Sequence, residues 1–369
     1  MSTTPNRRMV AVVLLIPVVV TIALWAFAWP AARISPRNLP LGIAGSVPAA
    51  DRLQQQLEQH GDAFEIHRFD DGAAARTAIE DRVVYGAVVI TPKGPQLLTA
   101  SAASPMVAQL LREAVTARAL AGNQVRVTDV VTAPAGDPRG SALGASILPL
   151  AIAGVAAGSA VTMLRLRGGR AAGALIGVAA LVGIAAAALT DSWLGAITGD
   201  WWTEAGALGL TALAIGATVA GLAALIGPSG VGLGALLMVL LGNPFSGITS
   251  APELLPQPLG AVGQLLPPGA GGSLLRSVAF FDGSAAGGTA LTLGLWAAAG
   301  LTAVLVGGRR RTPTAAAPRI RRPGAGPGGL SAPPEQPCTP AVADGGARRS
   351  CYGSRSCWVT GARPRRAAR

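Results

Sequence analysis

Charge is scarce in this chain. Asp, Glu, Lys and Arg together make up 13% of its 369 residues, about half the share of an average soluble domain. Half of the residues are hydrophobic and the mean hydropathy is +0.47. That composition excludes an ordinary soluble enzyme, and it holds too much apolar material for a chain disordered throughout. Aromatic residues are only 4%. The net charge of +12 is therefore not interleaved with stacking rings, and no nucleic-acid partner is expected. Histidine is limited to His60 and His67, seven residues apart with no cysteine beside them, which is not a metal site. The acids Asp70, Asp71, Glu80 and Asp81 flank one predicted helix, where capping and solvation account for them. No Ser/His/Asp constellation is present. No catalytic residue, metal ligand or cofactor is expected, and no enzymatic activity. Lysine is confined to Lys93 against many arginines, a bias that fits a GC-rich bacterial genome.

Long apolar runs are what the sequence does have. A crossing needs roughly 20 apolar residues, because a helix rises about 1.5 Å per residue across a core about 30 Å thick. Uncharged runs occupy 9–29, 143–164, 171–190, 205–226, 231–250 and 289–308. The fourth and fifth form one stretch, divided at Gly227-Pro228-Ser229-Gly230, a strong turn signal. The first run exceeds the roughly 7–15 residues of a signal-peptide apolar region, so it reads as an uncleaved anchor. The expected fold class is an α-helical integral membrane protein with six transmembrane helices and a small extracellular α/β domain inserted after the first.

Arginines set the orientation. Arg7 and Arg8 precede the first run, Arg165, Arg167 and Arg170 lie between the second and third, and Arg309, Arg310 and Arg311 follow the sixth. With six crossings all three groups fall on one side, the cytoplasm by the positive-inside rule. The expected location is the bacterial plasma membrane, multi-pass, with both termini cytoplasmic and the lipid bilayer as partner. The cytoplasmic segments then carry +16, residues 30–142 carry zero and the two other outer loops carry −4. The high isoelectric point is thus a topology signal plus a basic tail. Gly154 and Gly158, and Gly173 and Gly177, are small-xxx-small pairs that allow close helix approach. No ionisable residue lies inside a run, whereas proton relays usually need one. Gly227–Gly234 has the glycines of a phosphate loop but neither its Lys nor its Ser/Thr, and reads as a helix connection.

Residues 30–142 predict alternating strands and helices, hence a layered α/β sheet. Strands are expected at Leu41–Val47, Phe64–Phe69, Val83–Thr91, Gln96–Ala100 and Gln124–Thr132. Helices are expected at Ala50–His60, at Gly72–Arg82 capped by Asp71, and after Ser104 with Pro105 at the first position. The outer loop 251–288 is punctuated by Pro252, Pro256 and Pro267, and Pro244 breaks the fifth helix near its end. Such a segment lies at the interface or dips into the membrane, with its non-helical backbone shielded by protein. The tail 309–369 is rich in Pro, Gly and Arg and reads as disordered. It holds all three cysteines, Cys338, Cys351 and Cys357, on the reducing side, so no disulfide is expected.

One anchor helix, an outer α/β domain, five further helices and a proline-broken outer loop: this layout resembles the ABC-2 type permeases, the membrane subunits of ABC exporters. Leu41-Gly42-Ile43-Ala44-Gly45, then Ala73–Arg82 leading into Tyr85-Gly86-Ala87-Val88-Val89-Ile90, look like that family's outer domain. Ala251–Pro267 is similar to its outer segment between the fifth and sixth helices. The resemblance spans about residues 9–308. It implies a homo- or hetero-dimeric permease that exports its substrate with a separate cytoplasmic ABC ATPase. The family's ATPase-coupling helix lies between the second and third helices, where this chain has only Arg165–Arg170. A second reading therefore stays open, a non-transporting membrane protein whose extracellular domain binds a partner or envelope component.

Overall fold

A computed structural model describes residues 5–59, 61–92, 94–118 and 125–310. His60, Lys93, Arg311 and the rest of the tail with its cysteines lie outside them. The chain begins with α1 (Pro5–Ala31) and enters a five-stranded sheet of order β2-β1-β3-β4-β5. The strands are β1 (Leu39–Gly45), β2 (Phe64–Phe69), β3 (Gly86–Thr91), β4 (Gly94–Thr99) and β5 (Arg126–Asp129). Helices α2 (Val47–Glu58), α3 (Gly72–Glu80) and α4 (Pro105–Arg118) connect them. Pairing is parallel for β2-β1, β1-β3 and β4-β5 and antiparallel for the β3-β4 hairpin. Local chemistry sets the helix starts. The Asp71 carboxylate accepts from the Ala74 N–H at 2.8 Å, and Ser104 Oγ accepts from the Val107 N–H ahead of Pro105.

Side-chain alternation splits the sheet into two buried faces. Leu39, Leu41 and Ile43 of β1 pack with Leu57, Val107 and Leu111 under α2 and α4. Ala44, Ala87 and Val89 pack with Ala75 and Ile79 of α3. Each face also takes residues from the far end of the chain: Ala251 and Leu254 complete the first, Phe281 the second. The sheet is thereby clamped onto the helices that follow.

Those helices are α5 (Ser141–Met163), α6 (Gly168–Ala187, extended by a π-helical turn to Trp193), α7 (Trp201–Ile226), α8 (Ser229–Ala235, extended by a π-helical turn to Gly242), α9 (Leu259–Leu265), α10 (Pro267–Phe280) and α11 (Ala286–Arg310). Helix α7 is central, and α5, α6, α10 and α11 pack on it. Among the described residues five helices are long and apolar enough to cross a membrane: Val13–Ala31 of α1, α5, α6 with its extension, α7, and Ala286–Gly307 of α11. The helix expected over 231–250 is corrected: it runs from Ser229 to Gly242. Fourteen residues rise about 21 Å, short of a 30 Å core. It stops because Asn243-Pro244 follows, and proline cannot continue a helix interior.

The glycine pairs behave differently. A Cβ on Gly158 would meet the Gly216 carbonyl at 2.6 Å, and one on Gly154 would meet Ile215 at 2.8 Å, so both lie on the α5–α7 seam. Gly173 and Gly177 have nothing within 4 Å. The buried stripe of α6 is Ala171, Leu175, Ala179, Gly183 and Ala187. Residues 173 and 177 stand two positions off that stripe, about 200° around the helix. On α6 the close approach falls to Gly183, over Ala205 and Gly209.

The arginines gather away from the sheet. Arg165 and Arg167 line the turn between α5 and α6, beside Gly227 and Gly307, and Arg170 stands in the first turn of α6. Arg7 and Arg8 fall in the first turns of α1, and Arg309 and Arg310 end α11.

Candidate functional site

The segment between α8 and α11 positions the most polar part of the interior. Residues 243–258 hold no α-helix, then α9 descends and α10 returns. Two contacts fix how deep this hairpin reaches. Trp296, ten residues into α11, donates its indole N–H to the Leu265 carbonyl at 2.8 Å. Gly271 lies against Thr211, ten residues into α7. The tip, Leu265–Pro268, therefore stands about 15 Å below the sheet-side helix ends, near half the thickness of a bilayer core. Pro267 and Pro268 open α10, and Pro252 opens a short 3-10 turn, Pro252–Leu254. Pro256 lies between that turn and α9.

The irregular backbone of 243–258 finds its partners in protein. Gln264 Nε2 donates to the Ser246 carbonyl at 2.6 Å, Arg276 Nη2 to Ile248 at 2.7 Å, and Ser104 Oγ to Ser250 at 2.6 Å. Arg37 Nη1 donates to Leu254 at 3.0 Å, and the Arg37 N–H to Glu253 at 3.0 Å. The residues that satisfy this loop come from three places: the chain after α1, the sheet domain and the hairpin itself.

Where these elements meet is a cavity of about 640 Å³, lined among others by Arg37, Arg82, Tyr85, Glu253, Gln264 and Arg276. Arg82 follows the C-cap of α3 in the left-handed region, φ +61°, a common way to end a helix though usually with glycine. It leaves the sheet domain towards α10, where Nη1 donates to the Ser273 carbonyl at 3.0 Å and to Ser277 Oγ. Its guanidinium also lies 5.3 Å from the centre of the Phe281 ring. Tyr85 donates its hydroxyl to Glu253 Oε2 at 2.8 Å. Ser273 Oγ donates to Gln264 Oε1 at 2.6 Å. Arg276, 6% exposed, has the Ile248 carbonyl as its one hydrogen-bond acceptor among the described residues.

Electrostatics follow from burial. Burial holds the Arg82 guanidinium below the ordinary arginine value, against the pull of Tyr85 and Glu253. Burial, and next to it the Glu253 carboxylate, push the Tyr85 phenol above its ordinary range, so Tyr85 stays a neutral donor. Three guanidiniums thus share the cavity with one carboxylate.

Glu253 and Arg276 belong to the outer loop and Tyr85 to the phrase Tyr85–Ile90, and no spacing in the sequence brings them together. One signal was present: Arg276 is the one base in the outer loop, set between Leu274-Leu275 and Ser277-Val278. Glu204 is a further charge that no sequence spacing places. It is fully buried in the first turn of α7, with Oε1 accepting from the Gly199 N–H at 2.8 Å and Oε2 unpartnered among the described residues. Among the described residues no group of three or more His, Cys, Asp or Glu could hold a metal. No family model, curated protein or solved structure matches this chain.

Proposed function

We propose that this chain is the membrane subunit of an ABC-2-like exporter in a bacterial plasma membrane, working with a separate ATPase. In this reading the chain crosses six times. The fifth crossing is α8 plus the irregular segment 243–252, the sheet domain is extracellular, and both termini are cytoplasmic. The supporting observation is the interrupted crossing beside a polar cavity. The break is shielded by protein, as irregular backbone of a crossing must be: Gln264, Arg276 and Ser104 bond its carbonyls. The arginines at the helix ends away from the sheet support the orientation.

A specific observation favours a second reading. The connections opposite the sheet are Leu164–Arg167 and Gly227-Pro228, too short to offer an ATPase a docking helix. A non-transporting membrane protein whose extracellular domain binds a partner or envelope component needs no such surface. Purification of the tagged full-length protein from its host in gentle detergent, with mass spectrometry and an ATPase assay of the eluate, separates the two. A stoichiometric ABC ATPase with ATP hydrolysis is expected for the exporter. Its absence, under conditions that hold a known ABC complex together, overturns that reading in favour of the second.

A further inference from the structure

We infer that the cavity between the sheet domain and the α9–α10 hairpin is an oxyanion site, in which Arg82 and Arg276 hold a phosphate-type group. The inference goes beyond transport and applies equally to a binding module.

The first argument is unbalanced charge. Among the described residues the ion pairs are Arg68–Asp51, Arg76–Glu80, Arg112–Asp129 and His67–Glu65, all in the sheet domain. None involves Arg37, Arg82 or Arg276. Glu253 is the one carboxylate lining the cavity, and it is engaged by the Tyr85 hydroxyl. Arg276 is buried and Arg37 and Arg82 are half-buried; a buried charge without a counter-charge is costly, so Arg276, with Arg82 beside it and one shared carboxylate, leaves a standing demand for an anion.

The second argument is unused donors. A guanidinium carries five N–H groups in a fixed fork that matches phosphate oxygens two at a time. Arg82 donates through Nη1 alone, and Arg276 donates through Nη2 to a single carbonyl. Both side chains border the cavity, and each keeps donors for a ligand. Their backbone and hydroxyl partners on α10 and the 243–252 segment hold the two forks in place before any ligand arrives, which reduces the ordering cost of binding. At the buried Arg276 the attraction is stronger than at an open surface.

The third argument is size and place. About 640 Å³ is larger than a phosphate ion needs. The walls add the apolar residues Val84, Ala261 and Pro258 to the arginines. The cavity sits at the sheet-side ends of the helices, the level at which phospholipid headgroups lie if the helices span a bilayer. A free phosphate and a lipid phosphodiester share the chemistry that these arginines recognise.

The test uses the full-length protein in a non-ionic detergent, titrated with inorganic phosphate at constant ionic strength while the melting midpoint is followed. In parallel, the protein is placed in nanodiscs of phosphatidylcholine alone or with phosphatidylglycerol. A ligand that binds only the folded state raises the midpoint, and the rise grows with the logarithm of its concentration once that exceeds the Kd. A response to phosphate identifies a free oxyanion as sufficient. A response only to phosphatidylglycerol identifies the headgroup of an amphiphile as the source. In the responding arm, Arg82→Gln and Arg276→Gln are each expected to weaken binding about 10- to 100-fold, the scale of a lost charged hydrogen bond. Glu253→Gln removes the competing carboxylate and is expected to tighten binding several-fold, a gain that a merely structural role does not produce. If Arg276→Gln does not fold, the wild-type titrations with Arg82→Gln and Glu253→Gln decide. No rise of the wild-type midpoint in either arm overturns the inference. So does an equal response in all variants, which would assign binding to the basic tail.

Discussion

Helices α1 and α7 are matched in mean hydropathy and opposite in surroundings. In α7, 67% of the most apolar 18-residue window is buried inside the protein; in α1 the share is 11%. The difference lies in side-chain size. Along α7 the buried positions are Ala205, Ala207, Gly209, Ala212, Ala214, Gly216, Ala217, Ala220 and Gly221 among a few larger residues. Along α1 the apolar residues are Val13, Leu14, Leu15, Ile16, Val18 and Leu24, each more than half exposed. Lipid tails are as apolar as leucine, so apolarity cannot draw one helix onto another within a bilayer, and small residues that let backbones approach can. Hydropathy identifies a helix's solvent; the distribution of Gly and Ala identifies its neighbours.

The sharpest way to break the comparison is to remove that closeness. Gly158→Ala places a methyl group 2.6 Å from the Gly216 carbonyl and 2.8 Å from Val219. Neither helix backbone can yield alone, and the expected loss is about 3 kcal/mol, the upper range of overpacking. Gly173→Ala is the control on α6: it meets nothing within 4 Å and removes a glycine from a helix. Its melting midpoint in detergent should equal or exceed that of the wild type. If the two variants lose the same stability, the α5–α7 seam is not where the structure has it.

That pair of glycines also shows what could be read in advance. Both α5 and α6 carry small residues four apart, and spacing alone does not say which of several such stripes is buried. In the sheet domain, by contrast, local signals sufficed. Asp71 and Pro105 mark the starts of α3 and α4, because caps act over three or four residues. The cavity was not legible for the complementary reason. Tyr85 and Glu253 are 168 residues apart, and Arg82 and Ser273 are 191 apart. No periodicity reaches so far. The prolines showed that the outer loop is broken, but not that the breaks fold back to the depth of Trp296.

A smaller effect is expected from opening a hole in α7. Ile215 is fully buried against Ala151, Met238 and the α5 glycine Gly154. Ile215→Ala should cost about 2 kcal/mol in detergent unfolding, the low end for a large-to-small change in a core. The low end applies because a span unfolded within lipid loses van der Waals packing rather than gaining contact with water. A cost above about 4 kcal/mol would mean that this site behaves as the core of a soluble protein, and the contrast with α1 would rest on water rather than on packing.

The smallest effect belongs to α1 and is the most informative about what lies outside the chain. Leu14 is 63% exposed, facing whatever surrounds the isolated protein. If that is lipid or detergent, Leu14→Ala exchanges one apolar contact for another, and the stability change should stay within about 0.5 kcal/mol, as for surface substitutions generally. A dimer seated on α1 would respond differently. There Leu14 would be interface core, and its truncation would shift the monomer–dimer equilibrium measured by light scattering while leaving the unfolding of the monomer unchanged. Loss of a dimer with an intact monomer would show that α1, unlike α7, is packed by another chain rather than by its own, and that its large side chains are an interface rather than a lipid-facing surface.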